Sequence, residues 1–260
     1  MNFLRDILAV TRRDVEVRKK RIPLEAIRER PLYARARRSL RRALSLRSPA
    51  VIAEVKKASP SRGLIARAFD PRALARAYAW GGASAISVLT EERHFLGSLG
   101  DIEAVRGEVD LPILRKDFVI DKYQVEEARG AGADAILLIA AALSAGELGD
   151  LMGAAAGLGL ECLVEIHSAE ELERVLDLRP GLIGINNRDL VTFRTDIGLS
   201  ARLAGAVPQG TLCVSESGIR SREDIDALRR AGIGGFLVGE HLMRSGDPET
   251  ALRLLLEEGE

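Results

Sequence analysis

Cysteine, histidine and side-chain amides are scarce in this chain. Two cysteines, Cys162 and Cys213, cannot build a disulfide framework, and no CxxC pair offers a thiolate metal site. Net charge is missing too. Lys plus Arg (38) cancels Asp plus Glu (38), so no overall field draws the chain to nucleic acid or to a membrane surface. The apolar runs are short and broken by charges, which leaves no spanning segment or signal peptide and reads as a soluble, cytoplasmic protein. Lysine is rare beside arginine, 6 against 32, and there are only 3 Asn and 2 Gln. Loss of thermolabile amides leans towards a thermophile, with a GC-rich genome as the other source of the bias. Where charge alone would serve this chain writes Arg, so each Lys it keeps raises a question. Arg cannot release its proton at working pH, whereas a buried Lys can. Lys56, Lys57 and Lys116 all fall in or beside apolar runs.

What is present is a repeat. Apolar runs at 51–56, 84–89, 112–116, 134–140, 160–166, 182–187, 211–217 and 234–239 alternate with stretches at helical period, such as 71–80, 121–132 and 168–178. Asp70-Pro71, Ser144, Ser168 and Ser221 mark helix starts, and Gly81, Gly130 and Gly232 mark ends. Eight βα units with near-continuous apolar strands predict a parallel sheet under a layer of helices. With 260 residues, that count favours a closed α/β barrel, the (β/α)₈ or TIM architecture, over an open doubly wound sheet. The stretch after the first strand reads 57-KASPSRG-63 rather than GxGxxG, which removes the dinucleotide-binding alternative. The whole of 1–260 is read as one domain. Residues 1–48 form an N-terminal helical extension on it, with helices from Phe3 to Lys20 and around Pro31 to Leu46.

Alternation along the strands then selects a site. In such barrels the chemistry sits at the carboxyl ends of the strands, and every second side chain points inward. Glu54 and Lys56 share a face with Ile52, Lys116 with Leu114, Glu165 with Leu163, Asn186 with Gly184, and Glu216 with Val214. One such residue would be an ordinary charge at a strand end; six on consistent parity in five strands make a cluster. Three carboxylates and two ammonium groups in a water-poor mouth would have their pKa values pushed apart, which suits acid-base chemistry. A lysine ammonium lowered towards neutrality is the expected proton donor to a carbonyl oxygen. Metal binding is not expected: His94 and His241 fall in loops, and His167, the one histidine near a strand end, is read as facing away from Glu165. Cys162 and Cys213 face outward by parity, under helices. The last two strands end in glycine turns, 215-SESGIRS-221 and 238-VGEHLM-243, where backbone N–H groups can cradle a phosphate.

These residues resemble one family, the indole-3-glycerol phosphate synthases of tryptophan biosynthesis. The similar segments are 53-AEVKKASPSRG-63, 86-ISVLTEERHFLGS-98, 114-LRKDFVIDKYQV-125, 162-CLVEIH-167, 184-GINNRDL-190, 214-VSESGI-219 and 237-LVGEHLM-243, with 4-LRDILAVTRRDVEVRK-19 resembling the family's extension. The resemblance implies a carboxy-lyase that turns 1-(2-carboxyphenylamino)-1-deoxyribulose 5-phosphate into indole-3-glycerol phosphate without cofactor or metal. It implies Lys116 as general acid and Glu165 as base or partner acid in the dehydration. Lys56 and Glu54 would hold substrate carboxylate and hydroxyls and assist loss of water, and Asn186 and Glu216 would orient the ribulose hydroxyls. Ser217, Gly218, Gly239 and Glu240 match phosphate-cradle positions, with the Glu240 side chain expected to point away. Ser59, Pro60, Phe95, Phe118 and Arg188 match the aromatic pocket and carboxylate region, and Ser217 counts with substrate binding as well. A small phosphorylated molecule is the only partner implied, and a monomer the expected state. Two rival readings keep the barrel: a sugar-phosphate isomerase, and a non-catalytic barrel that binds a phosphometabolite. Neither explains a cavity that retains two lysines in an Arg-biased chain.

Overall fold

The strands close on themselves. In the computed structural model, which describes residues 3–66 and 68–257, β1 (Ala50–Val55), β2 (Ala85–Leu89), β3 (Ile113–Lys116) and β4 (Ala135–Ile139) are followed by β5 (Glu161–Ile166), β6 (Leu182–Asn186), β7 (Leu212–Glu216) and β8 (Gly235–Val238). Each pairs in parallel with the next, and β8 returns to β1 with Ala50 opposite Gly235, so no edge is left open. The ends of the expected domain, residues 1–2 and 258–260, lie outside the described residues.

Burial on both faces explains the unbroken apolar strands. Outward residues such as Val51, Ile86, Ile136, Val164 and Phe236 pack under the helices. Inward residues such as Ile52, Leu114, Leu137, Leu163 and Val214 fill the barrel itself. Cys162 and Cys213 belong to the outer layer, where burial pushes both thiols up to about 12, so they pack as small apolar groups. Helix starts follow from side-chain capping. Asp70, Ser144, Ser168 and Ser221 each accept a backbone N–H from the first turn of the helix they open, and Ser144 and Ser221 form full capping boxes with Glu147 and Asp224.

Two expectations are corrected. Gly130 does not end its helix, Lys122–Ala131; Gly132, at φ +92°, does. A Cβ at position 130 would come 2.8 Å from Ile27 Cγ2, so that glycine serves the close packing of a neighbouring helix. The second helix expected around 31–46 is not continuous. α1 (Phe3–Arg21) is followed by α2 (Leu24–Arg28) and then by α3 (Leu40–Ser45). Between α2 and α3 the Arg37 guanidinium takes the carbonyls of Leu32 and Arg35 that a helix would have used, and Arg38 N–H turns to Asp134.

The extension spans the barrel from mouth to base. Ile7 and Leu8 of α1 pack with Ile139 and Phe118 at the mouth, while Leu40 and Leu44 of α3 join the inner cluster with Ala50. Residues 1–48 carry 15 basic against 5 acidic side chains, so the remainder of this neutral chain is acidic. The two parts meet through Arg18–Glu127, Lys19–Asp121, Arg28–Glu126 and Arg38–Asp110. Among the described residues no helix is long and apolar enough to cross a membrane.

Candidate active site

At the carboxyl ends of the strands lies a cavity of about 570 Å³. Glu54, Lys56, Lys116, Glu165, Asn186 and Glu216 all line it, as the alternation of the strands predicts. Lys57 does not join them; its ammonium lies 5.8 Å from the centre of the Phe69 ring.

Lys116 is the hub. Its Nζ donates to Glu165 Oε2 at 2.9 Å and lies 3.0 Å from Glu216 Oε2. Its backbone is fixed by the residues on either side, which point out of the barrel. Arg115 donates to Thr90 Oγ1 (3.1 Å), the Gln124 carbonyl (2.6 Å) and Asp117 Oδ2 (2.9 Å), all buried. Above it, the Lys56 ammonium pairs with Glu54. Glycines make the room: a Cβ at Gly184 would overlap the Glu216 carboxylate, and one at Gly239 would overlap that of Glu54.

Burial and charge split the titrations of this cluster. Burial alone would lower Lys116, but Glu165, Glu216 and Glu54 hold it well above the ordinary lysine range. The expectation of an ammonium lowered towards neutrality is therefore corrected. Three carboxylates outweigh desolvation, and the group is firmly protonated. Burial would raise Glu165, yet Lys116 and then His167 hold it well below the carboxylate range. Glu216 goes the other way, pushed up to about 8 by burial and by Glu165, with Lys116 opposing. Burial and charge thus push the two carboxyl groups on either side of the ammonium in opposite directions.

His167 corrects the reading of its direction. It is two residues beyond Glu165 and keeps the same parity, and its Nε2 lies 3.3 Å from Glu165 Oε1. His94 instead lies by Glu91, and its ring meets Phe3 edge-on. His241 lines the outer cavity. Among the described residues no group of three or more His, Cys, Asp or Glu side chains is arranged to hold a metal ion.

At one end the cavity is lined by the turns that follow β7 and β8. After β7, Ser217 (φ +68°) and Gly218 (φ +91°) are consecutive left-handed residues, and both line the cavity. Asn187 donates to the Ser217 carbonyl at 3.0 Å, and its own Oδ1 accepts from Ser200 Oγ at 2.8 Å. Gly239 closes the other side before the short helix Glu240–Arg244. The Glu240 side chain lines the cavity. It takes Arg62 at 3.0 Å and Arg188 at 3.1 Å, and so sits as an internal anion between two loops of the mouth. Arg188 also donates to Ser61 (2.6 Å), while its N–H goes to Asn186 Oδ1 (3.0 Å).

The opposite wall is apolar. Phe95 and Phe118 lie 6.5 Å apart, and Ser59 and Pro60 cover them from the loop after β1. Glu91 fixes that wall, accepting the N–H groups of Arg93, His94 and Phe95 at 2.7 to 3.1 Å. Sequence reasoning missed Glu91, and it missed Phe3, which lines the cavity and meets Phe193 edge-on at 5.3 Å. Glu91 follows the inward Leu89 by two positions, a signal that was available; Phe3 has none, because only tertiary packing brings α1 to the mouth.

The comparisons agree with this geometry. The family described as "Indole-3-glycerol phosphate synthase" matches residues 4–255. A relative of that name from Carboxydothermus hydrogenoformans is 51% identical, over 98% of this chain and 99% of its own. Another, from Salinibacter ruber, is 49% identical over 100% of this chain and 97% of its own. Among solved structures, thiamine phosphate pyrophosphorylase from Pyrococcus furiosus superposes with a TM-score of 0.63 at 16% identity, over 84% of this chain and 96% of that one, a likeness of fold alone. A chain of the tryptophan synthase complex of the same organism gives 0.59 at 16%, over 80% and 97%. By sequence along its whole length, and with the barrel that such a sequence requires, the chain belongs to the indole-3-glycerol phosphate synthase family.

Proposed function

We propose that the chain converts 1-(2-carboxyphenylamino)-1-deoxyribulose 5-phosphate into indole-3-glycerol phosphate, carbon dioxide and water, with Lys116 and Glu165 at the centre of the reaction. The observation that carries the assignment of roles is the Lys116 ammonium between the Glu165 and Glu216 carboxyl groups, 2.9 and 3.0 Å away, in a cavity that Phe95, Phe118, Ser217, Gly218 and Gly239 also line. Phosphate at Ser217, Gly218 and Gly239 and the ring against Phe95, Phe118 and Pro60 stretch the substrate across the cavity, with its carboxylate towards Arg188 and Ser59. Fixing both ends in this way brings the ring carbon that bears the carboxylate against the ketone carbon. As that bond forms, Lys116 protonates the carbonyl oxygen. Carbon dioxide then leaves from the same ring carbon, restoring aromaticity. In the last step Glu165 takes a proton from the ring methylene while Lys56, oriented by Glu54, protonates the departing hydroxyl. Asn186 and the protonated Glu216 hold the remaining ribulose hydroxyls. Two protons are given and one is taken back, so one net proton is drawn from solvent, which matches the carboxylate lost as neutral carbon dioxide.

On this reading the chain works as one domain and as a monomer in the cytoplasm, with residues 1–48 an integral part of the mouth and the phosphorylated substrate its only ligand. Turnover followed by indole fluorescence in metal-free buffer, with and without EDTA, tests the reaction. Equal rates are expected, and Lys116→Gln should lower kcat by about 10² to 10⁴. A Lys116→Gln variant with the parent's kcat would overturn the role of Lys116, and saturable binding without turnover would overturn the reaction itself.

A further inference from the structure

His167 does not line the cavity, yet it is not a packing residue. Its side chain is only 12% exposed and stands behind the base, Nε2 3.3 Å from Glu165 Oε1 and Nδ1 3.5 Å from Glu171 Oε2. Glu171 is in the first turn of the helix Ala169–Leu176, where it also accepts the His167 N–H at 2.8 Å, and Ser168 caps that same turn. The ring is thus gripped from the helix and presented to the strand.

The arrangement selects one form of the ring. A neutral imidazole has one N–H and one lone pair, so facing two carboxylates it would set a lone pair against one of them. Only the imidazolium offers an N–H to each. Both contacts are ion pairs rather than directed hydrogen bonds, so it is the charge of the ring that matters to Glu165. Glu165 then has a cation on each oxygen: Lys116 on Oε2, inside the cavity, and His167 on Oε1, behind it. The groups around the ring are Glu165 on β5 and Glu171 on the helix Ala169–Leu176. Lys116 on β3 stands beyond Glu165, and Asp189, in the loop after β6, feels the ring's charge.

We propose that His167 is a positioning residue for Glu165: as an imidazolium anchored by Glu171, it holds Oε1 from behind so that Oε2 stays ionised and aimed at Lys116 and the substrate. The proposal rests on the reading of Glu165 as the base. Burial would lower His167, but Glu165 and Glu171 raise it to about 10, which agrees with a cation throughout the working range.

The test is the pH profile of kcat for the full-length enzyme and for His167→Ala and His167→Gln. Loss of the cation raises the pKa of the base, so the acid limb of kcat should move up by about one unit or more. At pH 7 kcat should fall roughly tenfold with KM changed less, because the substrate does not touch the ring. Added imidazole, in its protonated form, should restore part of the rate to His167→Ala and none to His167→Gln, which fills the space. Histidine ¹⁵N shifts of the parent should show the His167 ring doubly protonated at pH 7. An acid limb that stays in place in both variants, or a neutral ring at pH 7, overturns the proposal. If His167→Ala does not fold, the glutamine variant and the parent's ¹⁵N shifts decide it. Failure of the underlying reading shows itself separately. Glu165→Gln would then keep its turnover, whatever the His167 shifts report.

Discussion

Glu216 occupies space that Gly184 leaves empty: a methyl group on Gly184 would overlap the Glu216 Oε1 atom, two strands meeting where one gives up its side chain. The carboxylate it accommodates lies 3.0 Å from the Lys116 ammonium. The glycine is therefore part of the geometry of this cluster without contributing a side-chain atom to it.

Gly184→Ala should displace the carboxylate and spare the fold. The overlapping atom is the far end of a flexible side chain, so the strand need not move, and overpacking of this kind costs about 1–3 kcal/mol. Thermal melts should show a folded protein, while kcat falls on the order of tenfold as the Lys116 cluster loses its arrangement. A variant with unchanged kcat would mean that the position of Glu216 is irrelevant to turnover.

Stability should fall as the medium becomes alkaline, and two residues should account for much of the slope. Glu216 has an ordinary value of 4.5 and is pushed up to about 8 by burial and by Glu165, against Lys116. The folded chain keeps a proton that the unfolded chain releases. Its contribution is full below 4.5 and disappears as pH rises through 8. His167 behaves alike, with an ordinary value of 6.5 raised to about 10, so its share is lost later. Tm measured from pH 5 to 9 should decline in the parent and decline less in Glu216→Gln. Parallel slopes would mean that Glu216 is not protonated in the folded chain.

The alternation of the strands made this cluster legible before any coordinates, because period two in a parallel barrel leaves an inward carboxylate nowhere else to go. Lys116, Glu165 and Glu216 share a cavity for that reason. What stayed illegible depends on contacts across the chain. Phe3 reaches the mouth only because α1 packs there, and Glu240 turns inward because arginines from two other loops meet it. The direction of the Lys116 shift turns on the balance between desolvation and the carboxylates that face it, and that balance depends on distances set by the folded barrel. Gly130 looked like a stop because a glycine near a helix end usually is one; here the approach of Ile27 requires it.

Asn187 should control phosphate affinity without touching the phosphate. It holds the Ser217 carbonyl and, through Ser200 and Ser215, ties the left-handed turn to the wall of the barrel. Without that tie Ser217, at φ +68°, has less to offset a conformation that costs a non-glycine residue on the order of 1–3 kcal/mol. Asn187→Ala should raise KM roughly tenfold, a loss of about 1.4 kcal/mol in binding, and weaken inhibition by inorganic phosphate in step. The kcat should stay within about twofold, because Lys116 and Glu165 are held by other strands. A fall in kcat at constant KM would place Asn187 with the catalytic groups instead.

At the opposite end of the barrel, Asp134 ties the extension to the strands through one buried carboxylate. It accepts the N–H of Arg38 at 2.9 Å and that of Ile113 at 2.8 Å, and pairs with the Arg106 guanidinium, which is as deeply buried. Arg106 spends its other N–H groups on the carbonyls of Gly132 and Leu111, so the charge it carries has no second carboxylate to turn to within this set. Asp134→Asn keeps the shape and removes the charge, which leaves a guanidinium buried without a counterion. Breaking a buried pair in this way costs about 3–5 kcal/mol, and the loss should appear as a lower urea midpoint at an unchanged slope. Arg106→Met with Asp134→Leu removes both charges together and should recover much of that loss, since apolar replacement of a buried pair is often neutral. A double variant no more stable than Asp134→Asn would show that the hydrogen bonds to Arg38 and Ile113, rather than the ion pair, hold the base of the barrel together.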